Sequence, residues 1–123
     1  MFKQNKLANE NFLSILDITT KELIHILKVA KKIKNKELKI EFKDKVLGLI
    51  FDKASTRTRV SFQVAMSRIG GSTIDLNPTT SQIGRGEPIK DTARVLSRYC
   101  DVLAIRTFNH SDLEEYALSL IHI

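Results

Sequence analysis

Apolar and polar residues alternate along the chain in blocks with two different periods, helical and strand-like. Leu23, Ile26, Leu27, Ala30 and Ile33 recur every three or four positions, the spacing of one helix face. Thr19 and Glu22 stand ahead of that stripe as a capping box, so a helix is predicted from Thr19 to about Lys36. The continuous apolar run Val46-Leu47-Gly48-Leu49-Ile50-Phe51 reads as a strand buried on both faces, as in a parallel sheet. A second helix is predicted over 56–69, with Val60, Val64, Ala65 and Ile69 inward and Gly70-Gly71 ending it. A second strand follows over 72–76, then a polar loop over 77–87 containing Pro78, Gly84 and Gly86. Pro88 suits a first helical turn, and Ile89, Ala93, Leu96 and Tyr99 give the inward stripe of a third helix. A third strand is expected over 102–106, and Ser111-Asp112-Leu113-Glu114 caps a fourth helix. Strands alternating with helices imply an α/β fold: a parallel sheet flanked by helices, with right-handed crossovers.

Composition narrows this picture. With 123 residues, 42% hydrophobic and 28% charged, the chain has room for one soluble domain with a modest core. A domain this size buries roughly two-thirds of its unfolded surface. Cys100 is the only cysteine, which excludes a disulfide within the chain and fits a reducing cytoplasm. The longest apolar run, 46–51, falls well short of the ~20 residues of a membrane span. Met1-Phe2-Lys3-Gln4-Asn5-Lys6 has no apolar segment behind it of the kind a secretion signal requires. The expectation is a cytoplasmic protein with no membrane contact.

The net charge of +6 suggests acidic partners, but the cations are not uniform. Lysines 28, 31, 32, 34, 36 and 39 bunch around the end of the first helix, where a solvated face explains them better than a nucleic-acid patch. Every arginine lies between Arg57 and Arg106. The planar guanidinium fork suits phosphate and carboxylate, so this half of the chain is where an anion site is expected.

Phe51-Asp52-Lys53-Ala54-Ser55-Thr56-Arg57-Thr58-Arg59 leaves a strand and enters a helix, at the sheet edge where open α/β folds bind ligands. A helix start offers unpaired N–H groups and the positive end of its dipole. Ser55, Thr56 and Thr58 add hydroxyls and Arg57 a charged fork, enough to hold a phosphate dianion from several sides without a metal. A lone Ser or Thr there would be an ordinary cap; three hydroxyls with an arginine favour the anion site. No Walker loop or dinucleotide fingerprint is present. Arg106 ends the third strand at the same edge and is either a second ligand of the anion or an exposed strand-end charge. Ser81-Gln82-Ile83-Gly84-Arg85-Gly86-Glu87 suits a loop that closes over a ligand, or an inert connection. His25, His110 and Cys100 have no partners at metal-ligand spacing, and the carboxylates form no acid/base pair.

The segment 51–71, with Ser55-Thr56-Arg57-Thr58-Arg59-Val60-Ser61-Phe62, resembles the carbamoyl-phosphate loop of the aspartate and ornithine carbamoyltransferases. Three later segments resemble the ornithine branch: Gln82-Ile83-Gly84-Arg85-Gly86-Glu87, Asp91-Thr92-Ala93-Arg94-Val95-Leu96-Ser97-Arg98-Tyr99, and Ile105-Arg106-Thr107-Phe108. The aspartate enzymes typically carry a serine and a lysine in the first of these. Asn11-Phe12-Leu13-Ser14 is also similar to the ornithine branch, and the match runs from about Asn11 to Ala117.

By this resemblance Ser55, Thr56, Arg57 and Thr58 bind the phosphate of carbamoyl phosphate, and Arg106 binds near its carbonyl oxygen. Gln82 would reach into a neighbouring subunit's site, implying a homotrimer with shared active sites. Arg57, Thr58 and Arg106 are the expected catalytic groups. The neutral side-chain amine of ornithine would attack the carbamoyl carbon, Thr58 and Arg106 would steady the oxyanion, and citrulline and phosphate would form. This belongs to arginine metabolism and implies neither cofactor nor metal, because the donor is already activated. The resemblance makes residues 1–117 an incomplete amino-terminal carbamoyl-phosphate-binding domain. It also implies a later His-Pro-Cys-Gln-like segment and an ornithine-binding domain, both absent here. Leu118-Ser119-Leu120-Ile121-His122-Ile123 is similar to a translated sequencing adapter and is expected to be a non-native tail. Two other functions stay open: transfer to another amine, and a basic anion- or nucleic-acid-binding module.

Overall fold

The computed structural model describes residues 11–51, 55–76 and 88–119. The chain divides into two compact units, Met1–Ile40 and Glu41–Ile123. In the first, a short 3₁₀ turn, Ile15–Asp17, is closed by Ser14, whose hydroxyl accepts the Leu16 N–H while Asp17 accepts the Leu13 and Ser14 N–H groups. Helix α1, Thr20–Lys34, follows. Its predicted capping box is present: the Glu22 N–H donates to Thr19 Oγ1 at 3.1 Å, and the Thr19 N–H donates to Glu22 Oε1 at 2.9 Å. The chain leaves the helix through Lys36 at φ 60°. Of the predicted apolar stripe only Leu23 and Ile33 are half-buried; Ile26, Leu27 and Ala30 are exposed. Among the described residues of this unit α1 is the only α-helix, and a lone helix layer has no second layer to bury that face against.

The second unit is built on a three-stranded parallel sheet of β1 (Val46–Phe51), β2 (Ser72–Leu76) and β3 (Val102–Arg106), in the order β2-β1-β3. Connecting them are α2 (Thr56–Arg68) and α3 (Ile89–Leu96), and α4 (His110–Ser119) follows β3. All three strands and the parallel pairing agree with the hydropathy pattern. Central β1 is buried from Leu47 to Phe51, which is why it carries no polar alternation.

Strand alternation sorts the core onto two faces. Leu47, Leu49 and Phe51 pack with Met66 of α2, joined by Ile69 and Ala104. Ile50 packs with Ala93 of α3 and Tyr116 of α4, joined by Leu76, Ile89, Leu96, Leu103 and Ile105. Helices therefore cover both faces, α2 on one and the packed α3/α4 pair on the other. The amino edge is fastened at Asp101. Its N–H donates to the Val46 carbonyl at 2.9 Å, and its carboxylate accepts the Val46 N–H at 2.8 Å. Gly48 leaves little room for a side chain: a Cβ there would lie 2.6 Å from Leu103 Cδ2 and 3.1 Å from Cys100 Sγ, so those side chains would have to shift.

Two expected faces and one expected cap differ in this unit. On α2, Val60 and Val64 are 48% and 42% exposed and Ala65 is exposed, while Met66 is buried. The helix is turned so that its Arg59–Met66 side meets the sheet. Tyr99 is 69% exposed because α3 ends at Leu96, and the turn after it breaks the helical phase; Thr92 and Ser97 are buried instead. Helix α4 begins at His110, so Ser111 lies inside its first turn rather than at a cap. Gly70 ends the α2 segment at φ 86°, as a glycine can.

Candidate functional site

The candidate site sits at the carboxyl edge of the sheet, where β1 runs out and α2 begins. Ser55 occupies the N-cap position of α2, yet its side chain makes no capping hydrogen bond. A capping serine normally spends its hydroxyl on the N2 or N3 amide; the Ser55 hydroxyl is not spent that way. No acidic residue stands in the first turn of α2, so its positive pole is not neutralised locally. Thr56 and Arg57 are exposed, and Ser55 and Thr58 are half-buried. Four predicted ligands thus fall on one helix start.

The register of β3 brings in the fifth. Phe51 and Arg106 are Cα partners across the β1–β3 ladder, so Arg106 stands beside the residue from which the chain departs towards Ser55. Alternation sets Arg106 with Ala104, whose side chain packs on the α2 face. Arg106 is exposed there. Among the described residues neither Arg57 nor Arg106 is paired with a carboxylate. The arrangement is two guanidinium groups, three hydroxyls and a helix N-terminus around one sheet edge, a donor set suited to a doubly charged oxyanion. Gln82, the remaining predicted ligand, lies outside the described residues, as do residues 52–54.

Arg59 is brought close to these groups but is engaged elsewhere. Its Nε lies 3.0 Å from Asp75 Oδ2 on β2, a charge contact not aligned as a hydrogen bond. Its guanidinium carbon sits 5.6 Å from the centre of the Phe51 ring, within cation–π range. The Phe51 ring in turn meets Phe62 edge-on at 6.4 Å. Sequence reasoning missed this cluster, because only the crossover of the sheet brings residues 59 and 75 together. Beyond Arg106, the Thr107 hydroxyl donates to Asp112 Oδ2 at 3.4 Å, and His110 pairs with Glu114 one turn on. Cys100 is buried away from the site, and burial first, then the charge of Asp101, pushes its thiol pKa up.

The family model for the aspartate/ornithine carbamoyltransferase carbamoyl-P binding domain matches residues 10–122. The chain belongs to that family. Similarity extends to the ornithine carbamoyltransferase of Prochlorococcus marinus subsp. pastoris, 80% identical over 117 residues, covering 95% of this chain and 38% of that protein. Among solved carbamoyltransferases, the ornithine enzyme of Gloeobacter violaceus is 49% identical with a TM-score of 0.79, covering 90% of this chain and 35% of the other. The aspartate transcarbamoylase of Trypanosoma cruzi, in complex with carbamoyl phosphate and aspartate, is 33% identical with a TM-score of 0.67, over 83% and 34%. The likeness is stronger to the ornithine carbamoyltransferase than to the aspartate one. The chain spans a little over a third of the length of these relatives.

Proposed function

We propose that this chain supplies the carbamoyl-phosphate-binding half of an ornithine carbamoyltransferase, which makes citrulline and phosphate from ornithine and carbamoyl phosphate. The observation that carries the reading is the Phe51–Arg106 register. It sets Arg106, which is unpaired among the described residues, beside the strand end from which the chain runs to the helix start. Ser55, Thr56, Arg57 and Thr58 hold the phosphate, and Arg106 and Thr58 donate to the carbamoyl oxygen.

The neutral δ-amine of ornithine attacks the carbamoyl carbon. A C–N bond forms, the C–O bond to phosphate breaks, and the proton shed by nitrogen leaves with the phosphate. Charge developing on the carbonyl oxygen is met by donors already in place, where such preorganisation is most effective. The donor arrives activated, so the reaction calls for no cofactor. Within the same reading Gln82 completes the site of a neighbouring subunit in a trimer, and the enzyme works in the cytoplasm as part of arginine synthesis. No helix among the described residues is long and apolar enough to cross a membrane.

The test is Arg57→Ala in the full-length enzyme, followed by citrulline formation at varied carbamoyl phosphate. Hydrogen bonds to charged groups contribute ~1.5–3 kcal/mol each, so carbamoyl-phosphate affinity should fall at least about tenfold. An unchanged affinity would remove the site assignment.

A further inference from the structure

Three arginines gather on the α2 side of the sheet edge, and they are not equivalent. Arg57 and Arg106 are exposed and, among the described residues, unpaired; Arg59 is half-buried and held at both ends of its reach. Two residues apart on a helix means about 200° of rotation, so Arg57 and Arg59 point to opposite sides of α2. Arg57 turns to the open side, and Arg59 turns to the sheet, where its guanidinium meets Asp75 at 3.0 Å and the Phe51 ring at 5.6 Å.

Those contacts lie on two adjacent strands, β1 and β2. Phe51 is the last residue of β1 and the register partner of Arg106. Asp75 is the register partner of Leu49, on the other neighbouring strand. Arg59 belongs to the first turn of α2, where its N–H donates to the Ser55 carbonyl at 3.2 Å. One side chain therefore ties the helix start to both β1 and β2.

We propose that Arg59 is a positioning residue for the carbamoyl-phosphate site, clamping the first turn of α2 to Asp75 and Phe51 so that Ser55 to Thr58 face Arg106. This rests on the proposed function and adds a division of labour: Arg57 and Arg106 bind the ligand, and Arg59 holds their spacing. Displacing a reacting group by about 1 Å can cost on the order of a hundredfold, so even a modest shift of the helix start is measurable.

The experiment uses the full-length enzyme carrying Arg59→Met, Arg59→Lys, Asp75→Asn or, as comparator, Arg57→Ala. The readouts are KM for carbamoyl phosphate, KM for ornithine, inhibition by inorganic phosphate, and the thermal midpoint. Arg59→Met and Asp75→Asn should raise the carbamoyl-phosphate KM and weaken phosphate inhibition about tenfold, with ornithine KM within about twofold of wild type. Arg59→Lys keeps the ion pair and should recover part of the loss. If Arg59→Met fails to fold, Asp75→Asn decides, because it cuts the same contact from a residue outside the anion site. Variants that lose only thermal stability or active fraction, with carbamoyl-phosphate KM unchanged, overturn the clamp. If Arg57→Ala also binds carbamoyl phosphate normally, the site itself is misassigned and the clamp falls with it.

Discussion

Ser55 and Thr19 occupy the same position at the head of two helices and spend their hydroxyls differently. Thr19 caps α1 through the Glu22 amide, whereas Ser55 makes no cap bond on α2. Thr19→Ala should therefore cost roughly 1 kcal/mol of stability, the usual value of a lost cap. Ser55→Ala should leave the thermal midpoint almost unmoved while weakening carbamoyl-phosphate binding. Equal melting shifts for the two would mean that Ser55 is an ordinary cap. Cys100 offers a separate test through pH. Burial raises its pKa, so the folded state holds the thiol proton more tightly than the unfolded state does. Its contribution is intact below the ordinary thiol range and is lost as pH rises through the folded value. Cys100→Ala should flatten the alkaline fall in stability seen in denaturant titrations between neutral and strongly basic pH. An unaltered slope would show that another group governs it.

At the scale of elements, β1 is the piece that tolerates least. Its glycine has Leu103 and Cys100 where a side chain would go. Gly48→Ala should destabilise by about 1–3 kcal/mol through overpacking, read as a lower denaturation midpoint at constant m-value. A neutral outcome would mean that Leu103 repacks freely. Strand β1 was legible in the sequence because burial on both faces leaves a run with no polar interruption, while the shorter and more exposed β2 and β3 were read from their place between helical segments. Helix starts were legible where a side chain does the capping, as at Thr19. Helix faces were harder to read. The hydropathy of Val60 and Val64 points them inward, but α2 is oriented by Met66, Ile69 and the Arg59 clamp, whose partner residues are distant in sequence. Tyr99 continues the α3 stripe only if the helix continues, and it stops at Leu96. Within the candidate site, the helix-start ligands could be read locally. Arg106 could be placed at the same sheet edge, but its pairing with Phe51 required the strand register, and the Arg59–Asp75 contact required the sheet order.

For the whole molecule, the proposed reaction needs two substrates held together, and the chain covers 38% of the length of its Prochlorococcus relative. On the proposed reading, the described residues supply the phosphate and carbamoyl end of the site. Positioning the attacking amine is worth up to about 7–11 kcal/mol of barrier in well-oriented systems, so binding the donor alone does not suffice. The purified 123-residue chain should form no measurable citrulline from carbamoyl phosphate and ornithine, while the full-length enzyme does. Robust turnover by the short chain would show that both substrates are held within it.

The amino edge of the sheet carries a further implication. Asp101 grips Val46 at one end of the β1–β3 ladder, and Arg106 stands opposite Phe51 at the other. The two strands between those marks have equal residue counts, so they work as paired rulers with a common zero. Losing one residue from either ruler would shift its far mark by about 3.3 Å and turn the following side chain to the opposite face of the sheet. Apart from Gly48, side-chain identity along 46–51 and 101–106 is therefore less constrained than length, and an insertion or deletion there would separate Arg106 from the proposed phosphate ligands while leaving every one of those residues in the gene.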